Sequence, residues 1–269
     1  MRSWVVGSML GTPAVLVAFL SLAPIPAVGQ APAAQAYTPP RTPDGQPDLQ
    51  GFWQVLNTAS WNIQPHQATW EEPAGLGVVE GNEIPYLPAA LAKKRENFEN
   101  RRVADPTTAN CLMAGVPRIT YMPFPFRIVQ TPDHVAILYE YDHHSRTIYT
   151  NDTKHNDFQA YMGDSRGRWE GNTLVVDVTN FTDETWFDAA GNYHSDALHV
   201  VERYTRTSPD IITYEVTIED PNVFSRPWKM SMPLYRRQER NFRLLEYECH
   251  FLGNDFDGRF ERGRPDRLR

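Results

Sequence analysis

Apolar and polar residues alternate with a period of two in the second half of the chain and not in the first. From Phe124 onward, short segments rich in Val, Ile, Tyr and Thr recur between turn residues, which is the pattern of half-buried strands. The segments are Phe126 to Gln130, Val135 to Tyr141, Arg146 to Thr150, Thr173 to Thr179, Leu198 to Arg206, Ile211 to Glu219, Trp228 to Tyr235 and Arg243 to His250. Thr131-Pro132-Asp133-His134, Glu170-Gly171-Asn172 and Ser208-Pro209-Asp210 are turn sequences, and tight turns join antiparallel neighbours. Parallel strands need crossovers of about a dozen residues or more, usually helical. No helical periodicity follows Phe124. Sequential antiparallel strands hide their edges most completely by closing on themselves. The pattern therefore predicts a mainly β protein: an antiparallel β-barrel of about eight strands, lipocalin-like in general shape, with a ligand cavity. A two-sheet β-sandwich is the alternative.

One helix is expected upstream. Pro88 to Arg102 has helix-forming residues behind a proline in its first turn, with Leu91, Ala92 and Phe98 on one side and Lys93, Lys94, Glu96, Glu99 and Arg101 on the others. It reads as an N-terminal surface helix that ends before Pro106. At the start of the chain, Arg2 precedes an uncharged apolar run that Pro24 and Pro26 interrupt, and Ala27-Val28-Gly29 offers small residues before Gln30. Those are the marks of a cleaved signal peptide over residues 1–29, hence an exported protein, periplasmic or secreted, without a membrane span after cleavage. Residues 30–48 read as an extended leader rich in Ala, Pro and Gln, and 49–252 as a single β-rich domain. Residues 253–269, with Arg259, Arg262, Arg264, Arg267 and Arg269, read as a disordered basic tail.

Composition narrows the function classes. A net charge of −7 repels phosphate backbones, so a nucleic-acid partner is not expected. The two cysteines, Cys111 and Cys249, are too few for a thiolate zinc site. In an oxidising compartment they most simply form one disulfide.

Motifs with familiar outlines lose their chemical reading in context. Gly163-Asp164-Ser165-Arg166-Gly167 matches the G-x-S-x-G nucleophile pattern, but that pattern needs a strand-to-helix corner. Here a strand follows, so the segment reads as a glycine-flanked loop. Asn254-Asp255-Phe256-Asp257-Gly258 lacks the later glutamate of a calcium loop and reads as a solvated turn.

Two clusters carry more. In Tyr139-Glu140-Tyr141-Asp142-His143-His144-Ser145-Arg146, acids, imidazoles and a guanidinium interrupt an apolar strand pair. Strand alternation puts Glu140, Asp142, His144 and Arg146 on the face of Leu138, and His143 on that of Tyr141; a bulge between the strands would reverse the second half. The other cluster is His194-Ser195-Asp196-Ala197-Leu198-His199, leading to Glu202 on the face of Leu198, Val200 and Tyr204. A carboxylate on an apolar face is either paired, here with Arg146 or Arg236, or raised in pKa. His143 or His144, Arg146, His194, Asp196 and Glu202 all stand near strand ends, where a barrel mouth would gather them. Imidazole suits zinc or copper, yet HExxH, CxxC and facial-triad spacings are absent from the sequence, so a metal is left open.

Arg41-Thr42-Pro43-Asp44-Gly45-Gln46-Pro47-Asp48-Leu49-Gln50-Gly51-Phe52-Trp53 resembles the opening of a large group of exported bacterial proteins of about this length. Further segments carry the resemblance along nearly the whole mature chain: Gly167-Arg168-Trp169-Glu170-Gly171 with Thr173 to Val176, His194 to Leu198, Glu202-Arg203, Ile218-Glu219-Asp220-Pro221 and Arg226-Pro227-Trp228. The resemblance implies no particular activity. It does imply roles for Asp142, His143, Arg146, His155, His194, Asp196 and Glu202, and so favours His143 over His144. Ser145 stands where the resemblance calls for a large aromatic residue.

The resulting expectation is an exported enzyme acting on a small aromatic or polyhydroxylated molecule by proton transfer in a barrel pocket. It would be a lyase, isomerase or hydrolase without organic cofactor. His143 or His194 would be the base, Asp196 or Glu202 its orienting carboxylate, and Arg146 an anchor for an anionic or carbonyl group. A periplasmic binding protein without turnover and a structural envelope protein are the alternatives.

Overall fold

The computed structural model describes residues 37–70, 72–151 and 154–249. The expected signal peptide and basic tail lie outside the described residues. Nine strands close into one barrel, each bonded to the next in chain order: β1 (Gly51–Val55), β2 (Phe126–Gln130), β3 (His134–Tyr139), β4 (Ser145–Tyr149), β5 (Asp164–Glu170), β6 (Thr173–Thr179), β7 (His199–Ser208), β8 (Ile211–Glu219) and β9 (Trp228–Arg236). β9 pairs back onto β1 through Trp53↔Arg236 and Val55↔Leu234, which removes both sheet edges. The helices are α1 (Pro88–Ala104) and the one-turn α2 (Arg118–Tyr121).

The mainly β, closed architecture agrees with the alternation pattern, and three details differ. Two strands join the expected set. β1 is short, and its Trp53 and Val55 point into the core. β5 carries Asp164, Ser165, Arg166, Gly167 and Arg168, so it has almost no apolar alternation to read, and the glycine-flanked loop expected there is a strand. Gly167 is needed at that place because a Cβ would come within 2.7 Å of Ile148 Cγ2. Second, β4 and β5 run parallel, meeting at Tyr149↔Arg166, so the sheet is mixed rather than wholly antiparallel. The crossover, residues 150–163, contains no helix among its described residues. Third, Arg243 to His250 is not a strand: its described part touches the sheet through one bridge, Tyr141↔Tyr247.

Strand directions send the long connections to one end of the barrel. The segments 56–125, 180–198 and 220–227 and the β3–β4 turn all lie where β1, β3, β6 and β8 finish. The opposite end holds the tight β2–β3, β5–β6 and β7–β8 turns. At the elaborated end all four residues of α2 are buried. Its Thr120 stands beside Tyr139 and Tyr204, which face into the barrel, so α2 fills the space where an open mouth was expected. α1 buries Ala90 and Asn97 rather than Phe98. Phe98 lies on the surface beneath the guanidinium of Arg101, 4.1 Å from the ring centre. Cys111 and Cys249 form a disulfide across a separation of 138 residues, which in the chain-entropy account stabilises the fold by about 5 kcal/mol.

Candidate functional site

Arg146 and Glu202 form a closed pair inside the barrel. Arg146 follows the β3–β4 turn, where Asp142 and His143 both have left-handed φ, 49° and 51°. Asp and His tolerate that region better than most residues, and a turn of this kind matches the twist of a hairpin. The turn reverses the facing of the second strand, so Arg146 points inward opposite Ile137. Its Nη1 donates to Glu202 Oε1 at 3.1 Å, its Nη2 to Oε2, and its Nε to Ser165 Oγ at 2.9 Å. Tyr204 and Tyr214 also donate to Glu202 Oε1, at 3.0 and 2.6 Å. Arg146 and Glu202 are 4% and 0% exposed, so neither reaches solvent. Burial, and then the neighbouring Glu202 charge, push the phenols of Tyr204 and Tyr214 far up, so both hold their protons.

His194 is buried elsewhere, against Phe181 and Phe187. Its Nδ1 lies 2.8 Å from Ser195 O and its Nε2 2.7 Å from Thr185 Oγ1. A carbonyl only accepts, so Nδ1 donates, and in the neutral ring Nε2 accepts from the threonine. Burial lowers its pKa, which favours that neutral form. Asp196 is exposed and accepts from Gln159 Nε2 at 3.4 Å. His143 is exposed at its turn, with Nε2 3.3 Å from Glu248 Oε1.

The structure thus brings Arg146 and Glu202 together and gives His143, His194 and Asp196 separate partners. His143 lies in the β3–β4 turn and His194 and Asp196 in the 180–198 connection, where each meets partners other than the Arg146–Glu202 pair. His155 and His199 share Asp177 on the surface, each 3.1 Å from one of its oxygens, and His155 Nδ1 also meets Asp164 at 2.7 Å. Among the described residues no group of three His, Cys, Asp or Glu side chains is arranged to hold a metal ion.

A cleft of about 330 Å³ lies at the same elaborated end, between α1, the residues Ser60, Trp61 and Glu72, and the C-terminal segment. Phe124, Tyr141 and Tyr247 form one wall, with ring centres 4.2 Å apart for Phe124 and Tyr247 and 5.4 Å for Tyr141 with either neighbour. Trp61 also lines it, and Arg101, Arg102 and Glu72 supply its charged groups. Tyr141 OH donates to Thr107 O at 3.2 Å, and burial, then Asp142, raise its pKa and that of Tyr247, so both rings stay neutral.

None of these aromatics belonged to the expected site. Alternation does not report Trp61 and Phe124, which sit in connections rather than strands, and it placed Tyr141 and Tyr247 in strand segments without marking them as a site. The usable signal was their concentration near prolines and near Cys249. No model of a known protein family matches the chain, and no curated protein matches it.

Proposed function

We propose that the protein is an exported small-molecule-binding protein whose ligand is a planar aromatic compound held in the cleft between α1 and the C-terminal segment. The observation that carries this reading is the wall of three touching rings, Phe124, Tyr141 and Tyr247, lining an open cleft of about 330 Å³. Aromatic rings along a cleft reward a flat, polarisable guest, and apolar lining with a few polar groups is the usual composition of such sites. The disulfide is consistent with an oxidising compartment. Acid–base turnover has less support: His194 has both ring nitrogens engaged and Glu202 is saturated by three donor residues.

2-Naphthol titrated by calorimetry tests the reading, with decahydro-2-naphthol as the saturated control and myo-inositol as the polyhydroxylated one. Saturable 2-naphthol binding is expected, weakened about tenfold by Tyr247→Ala, the equivalent of losing one stacked ring and its burial. Equal affinity for the saturated control, preference for inositol, or indifference to Tyr247→Ala would refute it. Recovery of a chemically changed naphthol would restore the enzyme reading.

A further inference from the structure

The acid and imidazole run Glu140 to His143 takes no part in the Arg146–Glu202 pair, and its partners lie in one place. The backbone N–H of Leu245 donates to Glu140 Oε2 at 2.8 Å, and that of Cys249 donates to Asp142 Oδ1. His143 faces Glu248, and Tyr141 stacks on Tyr247 at an interplanar angle of 28°. All four contacts hold the segment 243–249. That segment makes only the single bridge Tyr141↔Tyr247 with the sheet among the described residues, so side-chain carboxylates replace the ladder that a strand would have. Leu245 is 65% exposed, so at that residue the backbone, and not the side chain, is the point of attachment. Tyr247 and Cys249 line the cleft.

We infer that Glu140, Asp142 and His143 form a clasp for a C-terminal strap, residues 243–249, and that the Cys111–Cys249 disulfide is a redox latch on the ligand cleft. The inference rests on the cleft being the binding site. With the latch closed, the disulfide keeps Tyr247 at a high effective concentration against Phe124 and Tyr141. A dithiol reductant opens it. One thiolate of the reductant attacks a protein sulfur, the protein S–S bond breaks as a mixed disulfide forms, and the departing protein thiolate takes a proton. The second reductant thiol then displaces the remaining protein sulfur, so two electrons and two protons pass to the protein and the reductant leaves as a disulfide. The strap then depends on the clasp and on the contacts of Tyr247 with Phe124 and Tyr141, and segments with few buried contacts open first.

The test uses the full chain, oxidised and then reduced with dithiothreitol, reading both 2-naphthol affinity and hydrogen exchange of the Leu245 and Cys249 amides. Reduction should weaken 2-naphthol at least tenfold and speed exchange at both amides, and reoxidation should restore both. Cys111→Ser should reproduce the reduced state without reductant. In oxidised protein, Glu140→Ala should speed exchange at Leu245, and Asp142→Ala at Cys249. Should Cys111→Ser fail to fold, the Glu140 and Asp142 variants still decide whether the clasp exists. Protected amides and undiminished affinity after reduction would overturn the latch. Absence of 2-naphthol binding in the oxidised protein would count against the binding reading instead, and exchange would then show whether the disulfide holds the strap.

Discussion

Replacing Glu202 by Gln separates a structural ion pair from a functional carboxylate. Gln keeps the shape and an oxygen for Tyr204 and Tyr214, but it puts an N–H₂ group where Glu202 Oε2 receives Arg146 Nη2. Arg146 is then a buried cation without a counter-charge. Its remaining acceptors, the retained side-chain oxygen at position 202 and Ser165 Oγ, are both neutral. Breaking one side of a buried pair costs about 3–5 kcal/mol. For a domain of this size each kcal/mol moves the melting point by about 2–4 °C, so a fall of about 6–20 °C is expected. Urea unfolding followed by circular dichroism would measure the free energy directly. The Arg146→Met, Glu202→Met cycle sharpens the result, since the double variant should be more stable than either single one. Additive losses in that cycle would refute the pairing. So would Glu202→Gln with unchanged stability and abolished 2-naphthol binding, because that outcome makes the carboxylate a ligand group.

Two buried titrating groups give stability opposite slopes with pH. Asp188 accepts N–H bonds from Ile63 and Asn192 without a contacting cation, and burial raises its pKa from 3.8 to about 6. Its contribution is full below about pH 4 and falls as pH rises through 6, by about 3 kcal/mol; Asp188→Asn should remove that decline, and an unchanged slope in unfolding experiments from pH 4 to 7 would exclude it. His194 has its pKa lowered by burial, so its contribution is full above its unfolded value near 6.5 and is lost as pH falls. His194→Asn keeps a donor for Ser195 O and should flatten the acid limb below pH 6; an acid limb as steep as the wild type's would refute it.

Strand placement was legible where one face is apolar and the other polar. β2, β6 and β8 have the limits read from alternation, because each buries alternate side chains against a continuous core. β5 was not legible, because its buried side chains are Asp164 and Ser165, whose polar atoms are satisfied by His155, Asn156 and Arg146 from outside the strand. Arg243 to His250 showed the converse. Its Tyr247 and Cys249 alternate correctly, but the disulfide and the Glu140 and Asp142 carboxylates fix it without a ladder.

The same distinction explains the site. Polar residues on an apolar strand announce that something pairs with them, and for Glu202 the sequence named Arg146 among the partners. It does not say whether the paired group still has capacity for a guest, since that depends on what closes the barrel. α2 is a single turn whose four residues are all buried, too short to show a helical period. The missing mouth was therefore invisible, and the residues expected there divide between core and surface. Chemistry at this end of the molecule is left to the side chains in connections, which rigid strands position but whose periodicity carries no signal. A cluster of acids and imidazoles beside a hairpin can equally serve to hold another segment of chain. Glu140 and Asp142 make that case, because each spends an oxygen on a backbone N–H of the C-terminal segment.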